Sequence, residues 1–114
     1  MGTKLVNGDY VPDGLGGVER LSGADALLGR VLYRLTARRG QFPPLPELGS
    51  RLYLLGRETG ANRLTAARQY VAEALAQEPV TVEDVTLTAA GEGRVHLAVF
   101  LKYQGTDLAV TLTV

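Results

Sequence analysis

The sequence predicts an α+β fold, with helices packed on one face of a small antiparallel sheet that ends in a C-terminal three-stranded meander. Three observations carry this. Segments between residues 24 and 77 repeat apolar residues at helical spacing, whereas residues 80–114 alternate apolar and polar residues at period two. Gly91–Gly93 and Gln104–Gly105 then cut that last third into three strands joined by short turns. Helices first and strands after is the order of an α+β domain, not of a parallel α/β sheet.

The chain of 114 residues has the size of one domain, with enough surface to bury for a core that needs no covalent staples. We divide it into an extended N-terminal arm, residues 1–23, and a domain, residues 24–114. The arm is glycine-rich, with extended pieces at Leu5–Val6, Tyr10–Val11 and Val18–Leu21. SGAD, Ser22 to Asp25, has the spacing of a capping box and opens the first helix. Ala24, Leu27, Leu28, Val31, Leu32 and Leu35 form its apolar stripe, and Arg30 and Arg34 fall on its other face. Gly40 is expected to end it, after Arg38 and Arg39.

FPPLPELGSRLYLL, Phe42 to Leu55, comes next. Its prolines predict a stiff, extended Phe42–Leu45. Pro46 then suits a first helical turn, and Leu48, Leu52 and Leu55 recur at helical spacing up to Gly56. Asn62 or Thr59 caps a further helix reaching about Gln77, with Leu64, Ala67, Val71, Ala74 and Leu75 buried and Pro79 beyond its end. In the first strand, Val80 and Val82 are out of phase with Val85 and Leu87, which places a bulge or bend at Glu83–Asp84. Val95 to Tyr103 alternates cleanly, and Leu108, Val110, Leu112 and Val114 form the last strand. That strand is uncharged beyond Asp107. At a sheet edge it would lack the usual guards, so it is open either to a partner's strand or to the N-terminal arm.

Composition removes several kinds of chemistry. With no cysteine there are no disulfides or thiolate metal sites, and His96, the one histidine, cannot build a histidine-rich zinc site. It is expected as a partly buried strand residue. GLGG and GRETGANR lack the phosphate-loop and dinucleotide patterns. No cofactor and no metal are expected. MGTKLVNGDY lacks the apolar core of a secretion signal, and no run approaches a membrane span, so a soluble product with no membrane partner is expected.

Charge is zero overall but segregated. Residues 30–68 hold eight arginines against Glu47 and Glu58, a balance of +6, and residues 69–114 stand at −4. Either the chain pairs its own segments, or it docks to neighbours of opposite sign. The arginines interleave with buried positions and lack a stacking aromatic patch, so nucleic acid is not the expected partner. Of the carboxylates open to catalysis, Glu47, Glu58, Glu73, Glu78, Glu83 and Asp84, no two make a defensible acid and nucleophile pair. The expectation is a protein that is not an enzyme.

Taken in order, an apolar helix, RRGQFPPLPELGSRLYLL, AARQYVAEAL, a Glu-Pro dipeptide and VTVEDVTL resemble the baseplate wedge, or W-like, family of contractile phage tails. They are similar also to a Mu-like phage baseplate group, and some members of the family carry the label tail lysozyme. The resemblance spans residues 24–114. It implies helices on a small antiparallel sheet and a structural role: joining wedge subunits near the tail tube and helping sheath assembly to begin. It implies wedge, sheath or tube proteins as partners, assembly in the bacterial host cytoplasm, and a final place in the virion baseplate. The family's Glu-Pro-Arg is matched here by Glu78 and Pro79, with Val80 in place of the arginine. Glu78 is thus a candidate wedge contact, or else a plain helix-end residue. The candidate protein-binding residues are Glu78, Pro79, Pro46, Glu47, Gly49, Arg51, Leu108, Val110 and Leu112. The isolated chain is expected to be a monomer. A tail-associated lysozyme that degrades peptidoglycan is the alternative function.

Overall fold

The structure, a computed structural model, describes residues 4–7 and 23–114. In chain order its elements are β1 (Lys4–Asn7), α1 (Gly23–Thr36), a 3-10 turn (Leu52–Arg57), α2 (Ala61–Ala74), β2 (Thr81–Gly91), β3 (Arg94–Tyr103) and β4 (Thr106–Thr113). The α+β class and the antiparallel meander β2–β3–β4 are as the sequence predicts. The extended pieces expected at Tyr10–Val11 and Val18–Leu21, and the Ser22 cap, lie outside the described residues.

One face of the sheet carries the core. Val99 stands opposite Val85 on β2 and Val110 on β4, and Leu97 opposite Leu87 and Leu112, so the alternation along β3 drives one apolar row against the helices. From α1 the row meets Leu27, Leu28, Val31, Leu32 and Leu35, and from α2 it meets Ala67, Val71 and Ala74. The stripes read from helical spacing are therefore the buried ones. Removing a large member such as Leu97 would leave a cavity, at a cost of about 2–5 kcal/mol. The phase break in β2 is also present: register shifts between Val82 and Asp84, and Val82 and Val85 both reach the core side across it.

Four expectations need correction. The last strand is not an edge, because β1 pairs with it in parallel, Lys4 opposite Leu108 through Asn7 opposite Thr111, giving the order β1-β4-β3-β2. Lys4–Asn7 of the arm, not a partner's strand, lie there. Second, α1 stops at Thr36, short of Gly40, and the chain makes a single bridge between Arg38 and Ser50. Third, Phe42–Leu45 is not extended. The amide of Leu45 donates to the carbonyl of Phe42, and the amide of Leu48 to that of Leu45, which makes two successive turns. Proline fixes φ near −65°, which suits the second position of a turn as well as extended chain. The helix expected from Pro46 shrinks to the 3-10 turn, where Leu52 and Leu55 are buried three residues apart, the 3-10 period. Fourth, α2 opens after Gly60 with no side-chain cap from Thr59 or Asn62, and it ends at Ala74, short of Gln77.

Candidate protein-docking surface

Residues 40–49 form a loop whose two ends are fastened together. The amide of Ser50 donates to the carbonyl of Ala37, and the amide of Arg39 to that of Ser50, at 2.8 and 2.9 Å. The buried Ser50 hydroxyl donates to the carbonyl of Leu35 at 2.7 Å and accepts from the amide of Leu52. Gly49 makes this closure possible: its φ is +101°, and a Cβ there would stand 2.7 Å from the carbonyl oxygen of Ala37. Gly49, expected on the surface, is thus a buried packing residue.

The closed loop presents Phe42, Leu45, Pro46 and Glu47 to solvent. Leu45, Pro46, Glu47 and Leu48 form one wall of a cavity of about 310 Å³, and Arg34 and Gln77 form another. Pro46 and Glu47 therefore face outward as the sequence suggests. Arg51 is outward too, but engaged. Its Nε and Nη2 donate to the two carboxylate oxygens of Glu73 at 2.9 and 2.6 Å, and its guanidinium lies 5.8 Å from the Tyr70 ring centre. The hydrogen bond to Glu73 raises the Arg51 pKa and lowers that of Glu73.

Glu78 has a different place from the one expected of a contact residue. Its side chain is 4% exposed, and both oxygens are taken: Arg30 Nε donates to Oε1 at 3.1 Å and Arg34 Nε to Oε2 at 2.6 Å. It fastens the chain beyond α2 to α1, while Pro79 beside it is exposed. The two arginines are partners that the sequence does not announce. Their spacing of one helical turn was the available signal, since it aims both at one point. Leu108, Val110 and Leu112 are buried core residues on an interior strand and are removed from the surface. His96 is corrected as well: it is exposed on the outer sheet face, with Nδ1 3.0 Å from the Thr113 hydroxyl.

The charge segregation is resolved largely inside the chain. Arg30, Arg34, Arg51 and Arg68 of the basic stretch reach Glu78, Glu73 and Asp84 of the acidic one. Among the described residues no cluster of side chains has metal-ligand character, and no helix is long and apolar enough to cross a membrane. Also among the described residues, the loop cavity is lined by one acidic side chain, Glu47, and a larger cavity at the end of the sheet by none.

No protein-family model matches the chain, and no curated protein does. Among solved structures, the fold is similar to a Geobacter sulfurreducens protein provisionally named a tail lysozyme. The TM-score is 0.67 at 17% identity, covering 82% of this chain and 90% of that one. At that identity the likeness establishes the fold. It also corrects one expectation: a protein of this fold bears a hydrolase name, so the flat exclusion of enzymatic activity does not stand.

Proposed function

We propose that the chain is a component of a phage-type contractile tail, placed in the baseplate beside wedge subunits and sheath or tube proteins and assembled in the bacterial host cytoplasm. The fold shared with the provisionally named tail lysozyme over 90% of that chain is the observation that supports a tail role. The site supports docking as its mode of action. A loop closed by Gly49 and Ser50 holds Phe42, Leu45, Pro46 and Glu47 in a fixed outward display, which lowers the ordering cost of binding. Glu78 supports that surface by holding Arg34 at the cavity wall, and the exposed Pro79 and Arg51 are further candidate contacts. Mass spectrometry of purified tail particles tests the reading. A fixed low copy number relative to sheath and tube, retained after a salt wash, is expected; absence from the particles would sink it.

A tail-associated lysozyme is the second reading, and the neighbour's name speaks for it more directly than for the wedge assignment. Hydrolysis of that kind needs two carboxyl groups about 5–9.5 Å apart across a cleft. Glu47, at the loop cavity, is the residue to test. Release of soluble fragments from peptidoglycan by the purified chain, lost in Glu47→Gln, would establish this reading. No release under conditions where a control lysozyme works would remove it.

A further inference from the structure

Three arginine side chains outside the Glu78 clamp meet at one cavity. Arg38 follows α1, Arg63 lies in the first turn of α2, and Arg94 opens β3. Together they rim a cavity of about 460 Å³ at the end of the sheet, whose floor includes Leu35, Leu55 and Leu112. That volume is within the range of pockets that hold a ligand group. No acidic residue lines it. Among the described residues none of the three arginines is paired with a carboxylate, in contrast to Arg30, Arg34, Arg51 and Arg68.

Two are held in place: Arg63 Nε donates to the carbonyl of Glu58 at 3.1 Å, and the Arg38 guanidinium lies 4.1 Å from the Tyr53 ring centre. Arg94 Nη2 makes only a long contact, 3.5 Å, to the carbonyl oxygen of Thr113. None of these contacts uses more than one N–H, so most of the donors on each guanidinium remain for a ligand. A guanidinium already ordered loses less entropy when it meets a carboxylate.

An aliphatic floor under a rim of cations with no Asp or Glu side chain among the lining residues is complementary to an apolar side chain carried between carboxylates. We infer that this cavity docks an acidic segment of a partner protein, with one apolar residue on the leucine floor and flanking Asp or Glu on Arg38, Arg63 and Arg94. Nucleic acid fits the site less well. Single strands are held by stacking on aromatic faces along a cationic track, whereas this floor is aliphatic and a face of Tyr53 is covered by Arg38. The inference rests on the reading of the chain as a docking component of a tail, and it adds the chemistry of one partner.

Selection of random displayed peptides of about twelve residues on the immobilised full chain tests it without any tail particle. Enriched sequences should carry Leu, Ile or Phe between acidic residues. A synthetic copy of the most enriched peptide should lose about tenfold or more in affinity for the double variant Arg38→Glu, Arg94→Glu. The control Arg68→Glu should retain binding, and the milder Arg38→Ala and Arg94→Ala should give intermediate losses if the double variant melts early. Basic or neutral enriched sequences, no enrichment, or binding that survives the double reversal would overturn the proposal. So would an acidic peptide failing to bind while a labelled single-stranded oligonucleotide binds with the same sensitivity to reversal. Absence from tail particles with peptide binding intact would remove the tail reading and leave the site; presence in particles without such binding would remove the site.

Discussion

Glu73 and Glu78 stand five residues apart, the first in the last turn of α2 and the second just beyond it, and arginine grips both. Glu73 is 28% exposed and meets one arginine, Arg51, itself 48% exposed. Glu78 is 4% exposed and meets two, of which Arg34 is only 22% exposed. Solvent makes the difference between them. Water screens the outer pair, and holding two long side chains in one geometry offsets much of its attraction. The inner carboxylate has lost its water, so its partners are a condition of its being there at all. Glu73 can be lost with little consequence, while Glu78 joins α1 to the chain that leads into the sheet.

The comparison breaks first at Glu78. Glu78→Gln removes the buried charge and leaves Arg30 and Arg34, one helical turn apart, aimed at the same point without neutralisation. A loss of about 2–3 kcal/mol in urea unfolding is expected, and a loss below about 1 kcal/mol would reduce the clamp to a surface pair. Next comes the division between the arginines. Arg34→Ala should destabilise more than Arg30→Ala, because Arg34 is the less exposed and makes the shorter bond. The double variant should cost more than the two losses together, since either arginine alone still neutralises the carboxylate and only the loss of both leaves a buried charge unpaired; strict additivity would show that they do not share it. Glu73→Gln, by contrast, should stay within about 0.5 kcal/mol. A loss matching that of Glu78→Gln would erase the distinction.

Local pattern made much of the fold legible before any coordinates. The α1 stripe, the alternation of β3, the turns at Gly91–Gly93 and Gln104–Gly105, and the bulge at Glu83 all follow from spacing within a few residues. What escaped depends on distance or on a second torsion. β1 is only four residues long, and nothing in KLVN marks a register against a strand about a hundred residues later. The prolines of Phe42–Leu48 constrain φ and leave the choice between extension and turn to the closure at Ser50. Charge segregation left open whether the basic and acidic stretches would meet each other or a neighbour, and it did not say which residues would. Glu78 finds its partners 48 and 44 residues back along the chain, so an outward contact and an internal fastener look alike in sequence.

The smallest effect is the one most specific to the outer pair. Hydrogen bonding from Arg51 holds the Glu73 carboxyl below its ordinary 4.5, with the charge of Arg39 adding to this and partial burial opposing it. In the unfolded chain that hold is gone, so between the folded value and 4.5 the unfolded state binds more protons. The contribution of the pair to stability is therefore complete above the ordinary carboxylate value, and it is lost as pH falls through the folded one. Carbon-13 NMR of the Glu73 carboxyl should show a midpoint below that of a reference glutamate, and Arg51→Ala should move it back up. A Glu73 that titrates at the ordinary value while Arg51 is intact would mean that the two-pronged contact is not held in solution. The outer carboxylate would then be free to serve a partner, and the comparison with Glu78 would become one between an open site and a closed one.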